Sequence, residues 1–392
     1  MGQRSPAHPG RAAHLSSARA VALEALNAVD NGAFSNLVLP KLLDVSGLER
    51  RDRDFATTLT YGTIRMRRAV DHVIDSLVDR ALEPTIRNLL RLGVYQLKWL
   101  EVPAHAAVSE TVDMTPHRAR GLVNAVLRKV SNRHVGWPDL ATELSYPDWI
   151  VERLTTDLGV TDADASLRRM NEAPPVTVRQ DGYFQDLASQ WVAGAVSGEL
   201  ADDAVVFDAC AAPGGKATAI AAGTTRTVIA SDLQPHRVRL IAQNAMKLGA
   251  DNVLPAVADG KNPPLRGGGV DAVLVDAPCS GLGALRRRPD ARWRIQAGDV
   301  TNLARLQQRL VERTMPTLRP GGLLAYSACT MTAAETSDID KWLESAYSDL
   351  AALAPLPPPW RPVGRGSLLL PHDADTDGMY LLLLRLPVSV GT

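Results

Sequence analysis

The chain has 392 residues, which predicts two or three domains with ample length for buried cores. Its hydrophobic fraction of 45% and charged fraction of 22% are ordinary for a soluble globular protein. Zero formal net charge excludes a strongly basic nucleic-acid binder overall, but residues 1–135 hold 19 Lys+Arg against 13 Asp+Glu, so that part is net +6 and the remainder net −6. A modest basic excess on one domain fits a phosphate-facing surface, and chance would also produce it.

Residues 1–14 are polar and read as a disordered leader without the apolar core of a signal peptide. From about Ser16 to His134 the pattern is helical. Ala18, Val21, Ala22, Ala25, Leu26 and Val29 form one amphipathic stripe, and Phe55, Leu59, Ile64, Val70, Val73, Ile74 and Leu77 continue it. Pro84 opens a helix carrying Ile86, Leu89, Leu90, Leu92, Tyr95 and Leu97, and further stretches run over 106–114 and 122–130. The pattern predicts an all-α bundle of five to seven helices over 15–136. Residues 137–184 read as a linker with a short helix, because Trp137-Pro138, Tyr146-Pro147 and Ala173-Pro174-Pro175 favour turns.

From 185 to 392 the texture changes. Apolar runs at 205–207, 228–230, 253–257, 270–275, 323–326 and 379–386 alternate with helical stretches. Nearly continuous apolar runs suit strands buried on both faces, and the alternation implies a mostly parallel, doubly wound α/β sheet. The stretch Leu356 to Pro362 reads as a surface loop. The longest apolar runs, such as 381–384, are too short to span a bilayer. The three cysteines, Cys210, Cys279 and Cys329, form no Cys-x-x-Cys pair, which argues against zinc and against a disulfide framework. A cytoplasmic protein with no metal and no membrane partner is expected.

Four segments carry candidate chemistry. Asp208-Ala209-Cys210-Ala211-Ala212-Pro213-Gly214-Gly215-Lys216 follows one strand and enters a helix. Ligands of doubly wound sheets sit at strand carboxyl ends, and two glycines let backbone N–H groups approach closely; a tight strand–helix connection would look the same. Asp232 ends the second strand, where a carboxylate can bind ribose hydroxyls or cap a helix. Asp259 ends the third and can accept from an adenine amino group or close a turn. Asp276-Ala277-Pro278-Cys279-Ser280-Gly281 and Tyr326-Ser327-Ala328-Cys329-Thr330 each follow a strand. A lone cysteine is usually a small buried hydrophobe, but all three lie at strand ends on one sheet edge.

These segments resemble the Sun-type family of RNA (cytosine-5)-methyltransferases, closest to its bacterial ribosomal small-subunit methyltransferase B branch. The family's D-x-C-A-A-P-G-G-K, D-A-P-C-S and T-C-[ST] signatures match Asp208 to Lys216, Asp276 to Ser280 and, with one difference, Ala328 to Thr330. Leu89-Leu90-Arg91-Leu92-Gly93-Val94-Tyr95-Gln96-Leu97 and Asn124-Ala125-Val126-Leu127-Arg128 resemble the NusB-like RNA-binding domain of that branch. The resemblance implies a NusB-like bundle followed by a Rossmann-like class I methyltransferase domain with a mostly parallel seven-stranded sheet. It implies S-adenosylmethionine as cofactor, RNA as partner (small-subunit ribosomal RNA above all) and 5-methylcytosine as product; a monomer is expected.

By the same resemblance Cys329 is the nucleophile, Cys279 the second cysteine assisting release, and Asp276 the group that binds the base. Cys210, Ala211, Ala212, Pro213, Gly214, Gly215 and Lys216 would cradle the cofactor, with Asp232 on its ribose, Asp259 on its adenine, and Arg237, Lys216 and Asp276 beside it. Arg286, Arg287, Arg288, Arg292 and Arg294 are candidate phosphate contacts or a solvated charge run.

Two departures stand out. Val176-Thr177-Val178-Arg179 runs almost directly into Gln185-Asp186-Leu187-Ala188-Ser189-Gln190, so most of a small α/β segment of the family is missing. Ala328 and Ala217 stand where the family usually has threonine. The alternative reading is a catalytically impaired RNA-binding ribosome-assembly factor on the methyltransferase fold. A DNA or small-molecule methyltransferase is a further rival, opposed by the helical domain and the Cys279/Cys329 pair.

Overall fold

In the computed structural model residues 17–100 and 102–388 are described; the expected leader at 1–14 lies outside them. The chain divides into two compact units, one comprising residues up to 151 together with 286–294, the other 152–285 with 295 onward.

Seven α-helices lie between Ala18 and Ser131 among the described residues: α1 (Ala18–Asp30), α2 (Ser35–Ser46), α3 (Arg50–Arg65), α4 (Arg67–Asp75), α5 (Pro84–Lys98), α6 (Ala104–Asp113) and α7 (Arg120–Ser131). Helix α1 starts where the Ser17 hydroxyl accepts from the Ala20 N–H at 3.2 Å. Helix α5 is the centre of this unit. Leu89, Leu90, Leu92 and Val94 are fully buried, and Asn88, Arg91 and Gln96 are buried with them, so the helix is enclosed over most of its circumference. Its neighbours approach closely through glycine. A Cβ on Gly62 of α3 would lie 2.0 Å from the Tyr95 hydroxyl, and one on Gly93 would lie 2.6 Å from Leu127 of α7. Helix α2 does not show in the periodicity, because Pro40 interrupts a short stripe of Leu39, Leu42 and Leu43 that the core nevertheless buries.

The expected linker at 137–184 is more ordered than its prolines suggest. It holds α8 (Leu140–Leu144), α9 (Asp148–Leu158) and α10 (Val160–Arg169), and the two units divide inside α9. Asp139 caps α8 through the Thr142 N–H at 2.6 Å. The basic run after Cys279 also departs from expectation. Residues 286–294 belong to the helical unit, not to the expected 185–392 domain. Arg286 and Arg292 are buried. Arg292 donates to the carbonyls of Arg65 (3.2 Å) and Ser145 (3.1 Å) and to the Tyr146 hydroxyl (3.2 Å), and its guanidinium lies 3.9 Å from the Tyr146 ring centroid. Burial pushes the Arg292 pKa down to about 10, against smaller opposing effects from Tyr146. Arg294 donates to Gly32 and Ala33 carbonyls, the Trp293 indole to Ile64 O at 2.8 Å, and Ser35 to the Asp290 carboxylate. Arg292 and Arg294 are structural donors inside the helical unit.

The second unit is built on one sheet: β1 (Val205–Asp208), β2 (Thr227–Asp232), β3 (Val253–Val257), β4 (Val270–Asp276), β5 (Leu318–Ala328), β6 (Ala351–Ala352), β7 (Arg361–Val363), β8 (Gly366–Leu369) and β9 (Met379–Arg385). Its order is β3-β2-β1-β4-β5-β9-β8-β7, with β6 pairing β9. Among the described residues the sheet has nine strands, not the expected seven. Strands β1 to β5 pair in parallel, while β6 to β9 pair antiparallel. The extra strands β6 and β7 have two and three residues, too short to leave an apolar alternation. Trp360, in the expected surface loop, is buried in the core cluster with Leu369 and Met379. Helices α11 (Leu187–Gly198), α12 (Gly215–Ala221), α13 (Pro235–Leu248), α14 (Ala297–Thr314), α15 (Ser337–Ala346) and the short α16 (Pro371–Ala374) complete the unit. No helix of the described residues is long and apolar enough to cross a membrane.

Replacing Arg292 with leucine strands the Arg65 and Ser145 carbonyls, at an expected cost of about 3 kcal/mol. Arg288, which is exposed, should tolerate alanine within about 0.5 kcal/mol. Urea unfolding of the two variants checks this; equal midpoints would contradict the structural role.

Candidate active site

Parallel pairing brings Asp208, Asp232, Asp276 and Ala328 to the same edge of the sheet. Asp208 of β1 registers against Ala230 of β2 and Leu274 of β4, and Asp276 against Ser327 of β5. The loop after β1 is tied down at once. The Ala211 N–H donates to Ser231 O at 2.7 Å, and the Ser231 hydroxyl lies near the carbonyls of Asp208 (3.3 Å) and Ala209 (3.2 Å). Gly214 has φ +104°, and a Cβ there would lie 3.3 Å from the Ile241 backbone of α13, so the turn requires glycine. Helix α12 starts at the next residue.

Lys216, on the first turn of α12, is buried and pairs with Asp276 at 2.8 Å. Burial alone would lower its pKa; the Asp276 charge and hydrogen bond outweigh that and hold the ammonium above its ordinary value. Asp208 is fully buried. Burial first, then the Asp276 charge, raises its pKa to about 8, against the Cys210 N–H bond at 3.3 Å. Burial and the Asp208 charge also push the Cys210 thiol up.

Asp232 is nearly buried and accepts from the Gln234 N–H at 3.0 Å and from Arg237 at 3.2 Å. Arg237 also donates to Ala212 O at 3.1 Å, joining the end of β2 to the loop after β1. Asp259, just beyond β3, accepts from the Lys261 N–H at 2.9 Å and remains accessible. A Cβ on the next residue, Gly260, would lie 3.5 Å from Ala209 O, so this turn closes against the same loop.

Cys279 and Cys329 meet with their sulfurs 3.3 Å apart. The Ala277 N–H donates to Ser327 O at 2.8 Å and the Gly283 N–H to Cys329 O at 3.1 Å, so the two turns are stitched on both sides of the thiols. The hydrogen bond with Cys329, then burial, raises the Cys279 pKa well above its ordinary value. Cys210, the third strand-end cysteine, belongs to the glycine loop.

Two further groups of residues have no role assigned from the sequence. Arg179, from the short turn that carries the Val178–Phe184 bridge, donates to Gly215 O and to the Thr218 hydroxyl (3.1 Å) and lies 4.9 Å from the Tyr183 ring centroid. A Cβ on Gly215 would lie 3.0 Å from Tyr183 and 3.1 Å from Gln185, so this turn packs directly on the loop. Glu335, with Gln307 and Tyr326, lies buried behind the cysteines. A glutamate six residues after Cys329 carries no signal by itself. Only the surrounding hydroxyls of Thr330, Thr332 and Ser280 hint at a shared partner.

Residues 196–385 match the family described as 16S rRNA methyltransferase RsmB/F, and residues 16–132 match the NusB family. A putative methyltransferase of Mycobacterium tuberculosis, MT1451, is 36% identical over 456 aligned positions, covering 95% of this chain and 97% of that protein. The probable ribosomal RNA small subunit methyltransferase B of Bacillus subtilis is 30% identical, covering 94% of this chain and 98% of that one. The crystal structure of PH0851 superimposes with a TM-score of 0.77 at 20% identity, over 97% of this chain and all of that chain, a likeness of fold. With a helical NusB region ahead of a Rossmann-like, mostly parallel sheet, and with relatives matched over nearly their whole length, the chain belongs to the RsmB/F family of 16S ribosomal RNA methyltransferases.

Proposed function

We propose that this ribosomal RNA methyltransferase modifies carbon 5 of a cytosine in small-subunit ribosomal RNA through a covalent adduct with Cys329. The observation that carries the reading is the pair of thiols 3.3 Å apart at the ends of adjacent parallel strands, beside the Lys216–Asp276 ion pair.

The residues at the strand ends fit the cofactor, S-adenosylmethionine. The donor set is a glycine turn opening a helix, a carboxylate at the end of β2 for a ribose diol, and Asp259 for an amino group. The Asp208 Oδ2, buried without a partner among the described residues, adds an unused polar atom at the loop. Cys210 to Lys216, Asp232 and Asp259 would hold the cofactor, and Arg237 fixes Asp232 against the loop. When bound, the cofactor supplies an electrophilic methyl group on a positively charged sulfur.

Carbon 5 of cytosine is a poor nucleophile until carbon 6 is attacked. The Cys329 thiolate forms the sulfur–carbon 6 bond, and the ring's electron pair becomes available at carbon 5. Asp276, ionised in its pair with Lys216, would face the base nitrogen and amino group; as the adduct forms, N3 takes a proton relayed from Lys216 through the carboxylate and gives it back on release. Its partner Lys216 keeps it in place. After methylation the carbon 5 proton leaves, the carbon 5–carbon 6 double bond re-forms, and Cys329 departs with the sulfur–carbon electron pair. Cys279, whose thiol holds its proton and lies 3.3 Å from Cys329, would assist release by donating to the departing sulfur, while the carbon 5 proton passes to water. The target cytosine must leave any stack to reach these groups.

The alignment with MT1451 runs over 456 positions, 64 more than this chain has residues, which supports the reading that a segment present in relatives is missing here. RNA recognition is the property we expect it to alter. Ala328 is buried in β5 opposite Tyr380 of β9, so loss of the usual hydroxyl there falls in the sheet and not on the thiol.

Transfer of a labelled methyl group to unmodified small-subunit ribosomal RNA should yield 5-methylcytidine. Cys329→Ala should lower the rate at least about a thousandfold, since a nucleophile is removed, whereas Cys279→Ala should accumulate a covalent protein–RNA complex. RNA binding with no methylated nucleoside would instead favour the assembly-factor reading. Folded Asp208 keeps its proton up to about pH 8, whereas the unfolded carboxyl loses it near about pH 4. Its contribution to stability is therefore full below about pH 4 and lost as pH rises through about 8. Urea unfolding of cofactor-free protein at pH 6 and pH 9 should show wild type losing more stability than Asp208→Asn; equal losses would contradict the buried, protonated carboxyl.

A further inference from the structure

The carboxyl group of Glu335 is fully buried and surrounded by donors. Its Oε1 accepts from the Ser280 N–H at 2.8 Å and from the Gln307 side-chain amide at 3.1 Å. Its Oε2 accepts from the hydroxyls of Ser280, Thr330 (3.1 Å) and Thr332 (2.8 Å). Ser280 follows Cys279, and Thr330 follows Cys329. The two hydroxyls also lie 2.9 Å from each other. Gln307, on α14, donates to Pro278 O at 2.9 Å and receives the Tyr326 hydroxyl at 3.0 Å. The Tyr326 hydroxyl also lies 2.7 Å from Glu335 O. One buried acid is thus bonded to the residue after each thiol.

We infer that Glu335 is a positioning residue that sets the spacing and direction of the two thiols by holding the turn after β4 and the turn after β5 together. The inference rests on the cysteine-adduct reading above. It goes beyond that reading by assigning the geometry of both cysteines to a group that touches neither RNA nor cofactor. The physical requirement is severe. A thiol that adds to carbon 6 must sit at bonding range of one ring atom while its neighbour serves another, and misplacement by about 1 Å can cost about a hundredfold. Backbone stitching at Ala277 and Gly283 fixes the bases of the turns. Glu335 fixes their tips, next to the sulfurs. A burial site of this kind is stable only while every donor has its acceptor. An amide in place of the carboxyl would turn an NH2 toward donors, so Glu335→Gln changes the charge and hydrogen bonding with almost no change in volume.

The two arms of the network reach different cysteines, so they predict different faults. Thr330→Val loosens the Cys329 turn and should slow formation of the covalent complex. Ser280→Ala loosens the Cys279 turn and should let the complex form but release slowly, so that it accumulates. Glu335→Gln should do both, with kcat down by roughly a hundredfold and the affinities for S-adenosylmethionine and RNA little changed. A role in packing alone would alter melting and binding without changing the balance between bound and released RNA.

The test is single-turnover methylation of an unmodified small-subunit ribosomal RNA transcript. Denaturing gels score covalent complex, nucleoside analysis scores 5-methylcytidine, and thermal melting and cofactor titration serve as folding controls. A Glu335→Gln protein that folds and turns over within about threefold of wild type overturns the inference. Should Glu335→Gln not fold, the two milder variants decide. Opposite shifts in complex level from Ser280→Ala and Thr330→Val sustain the inference, and wild-type behaviour in both overturns it. Wild type that makes no 5-methylcytidine overturns the cysteine-adduct reading and this inference with it. Wild type that makes it, with unchanged variants, overturns this inference alone.

Discussion

Strands β4 and β5 run side by side and parallel, with Asp276 opposite Ser327. Each then ends in a short turn, one reaching Cys279 three residues on and the other reaching Cys329 two residues on. Because parallel strands point their carboxyl ends the same way, two motifs fifty residues apart in sequence deliver thiols to one place. Everything else at the edge is arranged around that meeting. Strand β1 supplies the glycine loop on the other side of β4, and its lysine crosses to Asp276. Strand β2 supplies Asp232, which Arg237 ties back to the same loop. The chemistry proposed for the pair depends on this pairing more than on any single side chain.

The electrostatics follow from the crowding of acids at a shared edge. Asp208, Asp232 and Asp276 lie at the ends of adjacent strands, and they are handled in three ways. Asp276 is neutralised by a buried lysine, Asp232 by a half-exposed arginine, and Asp208 by retaining its proton. The cost of burying one charge is thereby converted into a neutral carboxyl at the loop, while the two others keep defined partners.

Much of this was legible from the sequence because it rests on local rules. The parallel strands are apolar runs, three of them ending in aspartate, and their order in a doubly wound sheet puts the motif residues on one edge. The helical stripes of α1 and α5 follow from period 3.6. What escaped had non-local causes. Helix α2 hides behind Pro40. Strands β6 and β7 are too short to pattern. The arginines at 286–294 look like a solvated or phosphate-binding run, yet Arg292 finds carbonyls of residues 65 and 145 and the ring of Tyr146, partners more than a hundred positions away. Glu335 reads as one more surface acid until the fold closes Ser280, Thr330 and Gln307 around it. Polar residues are illegible in this sense because their burial is decided by partners that only the tertiary structure supplies.

Cys329, and not its neighbour 3.3 Å away, is the cysteine we propose to bond to the base. The direct measurement uses ribosomal RNA carrying 5-fluorocytidine, in which carbon 5 has no proton to lose and the adduct cannot resolve. Incubation with S-adenosylmethionine, protease and nuclease digestion, and mass spectrometry then locate the modified peptide. The account predicts a methylated fluorocytidine attached to the peptide containing Cys329. Attachment at Cys279, or no attachment to either cysteine while methylation of ordinary RNA proceeds, would contradict it.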